Sequence, residues 1–320
     1  MASSILRRAI LYVPGSSRRF LDKSRGINVD MVAYDLEDSV APDRKADART
    51  ALRDFLSEPR SKNAKEQAVR INSVDSGFAL QDLTEVLKAP NLDAIVIPKV
   101  NSASDLNFVT EVIQHYLPER HPLSGKPSSQ QPPLRLLALV ESAKSLMNLD
   151  SICKASPYLS ALMFAAEDFA LDLSITRTPP LSEFLYARSA IVTAARAHNL
   201  ASTIDLVCTN FRGEEGMKNL EQECIGGKNL GFNGKQCIHP TQVETAQRIF
   251  SPGEKEVEWA VRCVIADEKA DKQGRGAWTL DGKMIDVPVA RKAKGIVQKA
   301  ELCGFDVPAM KERWKDQEPE

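Results

Sequence analysis

Eight short apolar runs, each followed by a polar turn and most by a longer amphipathic stretch, predict a (β/α)8 TIM barrel over residues 1–250. Two further observations agree. The turn after the first run, VPGSS, is neither GxGxxG nor Walker A, which weakens the alternative of a doubly wound sheet. Two acids, Glu141 and Asp168, stand at the ends of consecutive apolar runs, where the loops of a barrel build its active site. Residues 251–320 are expected to form a C-terminal helical extension acting as a lid.

The strand runs are AILYV (9–13), MVAYDLE (31–37), AVRIN (68–72), AIVIPKV (94–100), LRLLALVE (134–141), ALMFAAED (161–168), STIDLV (202–207) and KQCIHP (235–240). They are too short for ordinary helices and nearly continuous in apolar character, as buried parallel strands are. Between them DRKADARTALRDFL (43–56), ALQDLTEVLK (79–88) and LSEFLYARSAIVTAARAHN (181–199) have helical periodicity. The polar loop SGKPSSQQPP (124–133) separates the fourth helix from the fifth strand and is expected to be mobile. Beyond the eighth strand come a helix over 254–272, a glycine-bearing turn, and a final helix over 289–304.

Composition excludes several classes of protein. The 320 residues are 43% hydrophobic and 27% charged, enough for a full core, and no apolar run approaches the roughly 20 residues that span a bilayer. A net charge of −1 leaves no electrostatic footprint for nucleic acid. Six cysteines form no CxxC pair and four histidines have no zinc spacing, as in a reduced intracellular protein. The start, MASSILRRA, is acid-poor with two arginines, a hint of a transit peptide. A first strand near Ala9 leaves little to cleave, so the cytosol is favoured and the mitochondrial matrix stays open.

An unpaired carboxylate in a dry barrel mouth is costly, so Glu141 and Asp168 should hold a cation or move protons. Mg²⁺ is commonly held by one or two carboxylates, with water and substrate oxygens completing its octahedron. The competing explanation is capping acids or surface ion pairs. Arg18, Arg19 and Lys23 follow Tyr12 at the first strand end and suit a phosphate-bearing ligand. Of the three acids in DLED (35–38), at least one is expected to pair with a base, and Lys99 is a candidate partner. Arg70 is either a structural ion pair or a fork for a bound carboxylate. His239 is expected to shape the last turn. Asp286, in WTLDGKMIDVP, either lies in a linker or is an acid carried by a lid.

Taken in order, LRRAILYVPGSS, AYDLEDSVAPDRKADAR, VRINS, IPKV, ALVES, AAEDF, GKQCIHPTQV, FSP and GKMIDVP span nearly the whole chain. They resemble the CitE-like lyases of the HpcH/HpaI aldolase family, which include citrate lyase β-subunits, malyl-CoA lyases and the stand-alone citramalyl-CoA lyase of animal mitochondria. The resemblance implies Mg²⁺, a CoA-thioester substrate and cleavage of a 3-hydroxyacyl-CoA to acetyl-CoA and an α-keto acid. It implies metal ligation by Glu141 and Asp168, and substrate contact by Arg70. It further implies CoA-thioester contacts by Tyr12, Arg19 and Lys23, and contacts by Gln236 and Cys237 through their backbone. Asp286 would be the catalytic acid/base, contributed in trans within a trimer-like homo-oligomer. Two positions depart from the animal enzyme's pattern: Asn210 stands where that enzyme has an acid, and Arg19 where it has lysine. Alternatives are the β-subunit of a citrate lyase complex acting on an acyl-carrier thioester, a malyl-CoA thioesterase or malate synthase-like enzyme, and a non-enzymatic barrel.

Overall fold

The computed structural model of the chain describes residues 5–122 and 132–320. Most of the polar loop 124–133 and the first four residues therefore lie outside the described residues. All eight runs are strands: β1 (Ala9–Pro14), β2 (Val29–Asp35), β3 (Ala64–Arg70), β4 (Ala94–Ile97), β5 (Arg135–Val140), β6 (Leu159–Phe164), β7 (Ser202–Asp205) and β8 (Gly234–Cys237). Each pairs in parallel with its neighbour in chain order. Ile10 of β1 faces Met31 on one side and Gln236 on the other, which closes a TIM barrel.

The helices of this unit are α1 (Arg18–Ser24), α2 (Lys45–Ser57), α3 (Ala79–Val86), α4 (Ala103–Tyr116), α5 (Ala143–Met147), α6 (Leu149–Lys154), α7 (Ala166–Leu173), α8 (Leu185–Ala197), α9 (Gly213–Leu230) and α10 (Thr241–Phe250). Alternation along the strands separates two cores. Ile10, Met31, Ala33, Val96, Leu139 and Met163 fill the barrel interior, while Leu11, Val13, Val32, Ile95 and Phe164 pack outward with the helices.

Several strands end sooner than their apolar runs. Leu36, Ile71, Val100 and Leu206 lie beyond the last paired residue and are nonetheless fully buried. Apolar character there reports packing under the loops, not pairing in the sheet. One consequence bears on the site. β6 stops at Phe164 and α7 begins at Ala166, so Asp168 lies in the first turn of a helix and not at a strand end.

The end of the barrel opposite the site is closed by charge pairing. Arg7, 1% exposed, donates from Nε and Nη2 to Glu66 at 2.7 Å each and from Nη1 to Ser160 at 2.6 Å. Glu66 is on β3 and Ser160 on β6, so this side chain spans the barrel interior. Gly234 lets β8 reach β1, since a Cβ there would lie 1.9 Å from the Arg7 carbonyl oxygen.

Contacts divide the described chain into a unit of residues 7–250 and a second unit of residues 251–320 with Ile5 and Leu6. The second unit has its own core, built from α11 (Glu254–Lys272), a hairpin of β9 (Trp278–Leu280) and β10 (Lys283–Ile285), α12 (Val287–Leu302) and α13 (Val307–Arg313). The hairpin replaces the simple turn expected from the sequence. Asp281 and Gly282 both have positive φ, 50° and 72°, the requirement of a two-residue hairpin loop that Asp-Gly meets well. Among the described residues no helix is long and apolar enough to cross a membrane.

Candidate active site

A cavity of about 450 Å³ opens at the carboxyl ends of the strands. Tyr12, Asp35, Asp38, Ser39, Arg70, Glu141, Glu167, Asp168 and Gln236 supply its polar lining, and Pro14, Leu139, Ala165, Ala166, Val207 and Ile238 its apolar wall. Asp38 is paired with Arg70 and Glu167 with Arg177. Five of the nominated site residues, Tyr12, Arg70, Glu141, Asp168 and Gln236, line this barrel mouth, and each arrives by a different route.

Glu141 follows β5 directly and is 5% exposed. Asp168 reaches the cavity from the first turn of α7, a position that favours an anion. Among the described residues neither side chain forms a salt bridge, which removes the surface-pair explanation. Burial, joined by the Glu37 and Asp168 carboxylates, pushes the Glu141 carboxyl up to about 8. A buried and a half-buried carboxylate that repel one another mark a place for positive charge. No cluster of three or more His, Cys, Asp or Glu side chains with metal-binding geometry occurs among the described residues. Two hard oxygen ligands still suit Mg²⁺, whereas a Zn²⁺ or Ca²⁺ site would need more protein donors.

Arg70 ends β3 and is forked onto Asp35, with Nε 2.6 Å from Oδ1 and Nη2 2.8 Å from Oδ2. Its Nη1 lies 3.0 Å from Glu37 and 3.3 Å from Asp38. Burial alone would raise the Asp35 carboxyl; Arg70 and the amides of Glu37 and Ser39 hold it below its ordinary value instead. The DLED acids thus divide as expected: Asp35 pairs with Arg70, and Glu37 pairs with Lys99 at 3.0 Å.

Tyr12 lies under the Arg70 guanidinium, 4.9 Å from ring centroid to Cζ, and burial raises its phenol. Its hydroxyl donates to Gln236 Oε1 at 2.9 Å. The Gln236 amide donates in turn to the Phe164 and Asp205 carbonyls at 2.8 and 3.1 Å. Gln236 therefore enters the site through its side chain, where the sequence pointed to its backbone. Cys237 alternates to the other face: it is fully buried in the outer core and its thiol is absent from the cavity wall.

Arg18 is a surface partner of Asp22 and Glu58, at 3.0 and 2.8 Å. Arg19 and Lys23 are exposed on α1 and form no ion pair among the described residues, which leaves both free to meet an anion. His239 bonds Thr241 at 2.8 Å and stacks on Phe211 at 5.0 Å, so it shapes the turn after β8. Asp286 belongs to the other unit. It caps α12, Oδ1 accepting the Val289 amide at 3.1 Å, with exposed Met284 and Val287 beside it. A cap before Val-Pro was legible in the sequence and was missed.

The chain is similar to known proteins. Residues 8–240 match the family described as HpcH/HpaI aldolase/citrate lyase. The chain is 35% identical over 305 residues to the mitochondrial citramalyl-CoA lyase of Homo sapiens, covering 92% of this chain and 86% of that one. It is 36% identical over 295 residues to the citrate lyase subunit beta of Haemophilus influenzae, covering 92% and 97%. Among solved structures, the CitE protein of Mycobacterium tuberculosis in complex with magnesium, acetoacetate and coenzyme A aligns with a TM-score of 0.71 at 25% identity. That alignment covers 92% of this chain and 98% of that one.

Proposed function

Because the chain belongs to the HpcH/HpaI aldolase/citrate lyase family, we propose that it is a Mg²⁺-dependent carbon–carbon lyase that cleaves a 3-hydroxyacyl-CoA of the citramalyl or malyl type. One observation carries the reading: two unpaired carboxylates, Glu141 and Asp168, share a cavity with an arginine already locked in place. Glu141 and Asp168 would hold the ion. Bound there, Mg²⁺ supplies Lewis-acid polarisation of the substrate's carboxylate and hydroxyl oxygens.

The chain's own groups then account for the remaining needs. As the C–C bond breaks, the carbinol hydroxyl would give its proton to the Asp286 carboxylate, its carbon becomes the carbonyl of an α-keto acid, and the electron pair of the broken bond passes to the thioester. Arg70, fixed by Asp35, faces the developing enolate oxygen without having to reorganise. Tyr12, tied down by Gln236, packs under Arg70 and orients the thioester. Arg19 and Lys23 are free cations for the phosphates of CoA. Asp286 would deliver the proton to the enolate carbon to give acetyl-CoA, or remove it in the condensing direction. An acid on a separate unit suits a subunit arrangement in which the site is completed in trans, with water excluded on closure.

The test is incubation of the protein with citramalyl-CoA, malyl-CoA and citryl-CoA, with and without Mg²⁺. Release of acetyl-CoA with pyruvate or glyoxylate is expected, and EDTA should abolish it. Turnover only of an acyl-carrier thioester would assign the chain to a citrate lyase complex instead. Free CoA without keto acid would make it a thioesterase.

A further inference from the structure

Lys99 stands on the loop after β4 with φ of 51°, a left-handed conformation that glycine adopts with far less strain. What a glycine would lack there is the ammonium. Lys99 Nζ lies 3.0 Å from Glu37 Oε1, while Arg70 Nη1 lies 3.0 Å from Glu37 Oε2. One buried carboxylate thus gives one oxygen to each of two cations. Glu37 and Lys99 also act on Glu141 across the mouth, the first disfavouring its charged form and the second favouring it, partly through the Lys99 backbone amide. Neither residue lines the cavity, Glu37 being engaged by the two cations instead.

We propose that Lys99 is a positioning residue for the cation site: by engaging Glu37 Oε1 while Arg70 engages Oε2, it keeps that carboxylate from swinging toward the ion. This rests on the assignment of Glu141 and Asp168 as the cation ligands. Two protein carboxylates match Mg²⁺, which keeps its waters; a third would favour Ca²⁺, which takes more oxygen ligands in looser geometry. Lys99 therefore preserves selectivity as well as position.

Calorimetry with Mg²⁺ and Ca²⁺ tests this on the full chain. Lys99→Met keeps the length of the side chain and removes the charge, so both ions should bind more tightly, Ca²⁺ by the larger factor. Lys99→Arg should behave as the unmodified protein. Adding Glu37→Gln to Lys99→Met should return both affinities to near their starting values, because the freed carboxylate is gone. A merely structural lysine would give the opposite sign, with both ions bound less tightly and no recovery in the double variant. Weaker binding, or affinities within about twofold in Lys99→Met, the scatter of independent sites, would overturn the proposal. Failure of the unmodified protein to bind Mg²⁺ at all would overturn the cation site itself, a distinct outcome.

Discussion

Asp35 and Arg70 meet side-on at the barrel mouth, two guanidinium nitrogens 2.6 and 2.8 Å from the two carboxylate oxygens. The pair is formed by adjacent strands in register, Asp35 lying opposite Arg70 where β2 meets β3. Arg70 therefore has its orientation before any substrate arrives. Lysine keeps the charge but cannot form that fork. Arg70→Lys should lower kcat by about 10²–10³, the scale of one lost preorganised donor. Asp35→Asn should give a smaller loss of the same kind. Steady-state kinetics on both variants checks this, and near-native turnover in Arg70→Lys would reduce the residue to a structural ion pair.

Glu141 makes ion binding depend on pH. With its carboxyl pushed up to about 8, the metal-free protein holds a proton there at neutral pH that Mg²⁺ must displace. Apparent Mg²⁺ affinity should rise about tenfold per unit as pH approaches 8, then level off, with one proton released per ion below that point. Stability follows with a definite sign. Between the ordinary glutamate value of about 4.3 and 8, the unfolded chain has lost this proton and the folded chain keeps it. The contribution of Glu141 to metal-free stability thus falls as pH rises through that window. Melting curves of the protein and of Glu141→Gln at pH 6, 7 and 8 should converge in slope when saturating Mg²⁺ is added. A pH-independent affinity would contradict the assignment of Glu141 as a ligand.

The opposite end of the barrel should respond in stability alone. Arg7 is buried against Glu66 and Ser160, far along the strands from the mouth. Glu66→Ala leaves its guanidinium buried with no carboxylate partner on β3, which should cost roughly 3–5 kcal/mol. Denaturant unfolding measures it. Surviving protein should keep its Mg²⁺ affinity, because the lesion lies at the strand starts.

The barrel was legible because its strands are buried on both faces, so each reads as a compact apolar run between polar turns. Strand ends were not legible, because Leu36, Ile71, Val100 and Leu206 continue the apolar pattern into loops that pack without pairing. The same limit placed Asp168 on a strand when it begins a helix. At the site, position at the end of an apolar run nominated Glu141, Asp168 and Arg70, and all three line one cavity. The partners that orient them were not legible, since the fork on Asp35 and the bonds of Gln236 depend on which strands the closed barrel sets side by side. Cys237, one residue from Gln236, turns its side chain to the outer core, so any contact it makes at the mouth is left to its backbone. The Asp-Gly hairpin was a local signal that could have been used.

Asp286 offers the sharpest test of assembly. Its carboxylate caps α12, and Met284 and Val287, 68% and 53% exposed, flank it. Apolar side chains held in water around an acid suit a tip that docks on another surface, as the proposed catalysis in trans requires. Asn caps a helix about as well as Asp, so Asp286→Asn should preserve the fold and the tip while removing the proton. Substrate and Mg²⁺ binding should persist, and kcat should fall by roughly 10²–10⁴. Glu141→Ala should be inactive for a different reason, having lost the ion. Mixing the two variants after dissociation and reassembly then separates the possibilities. If the acid serves a neighbouring barrel, some sites pair an intact Glu141 with an intact Asp286, and part of the activity returns. If hetero-oligomers form and no activity returns, Asp286 acts within its own chain or takes no part in the chemistry.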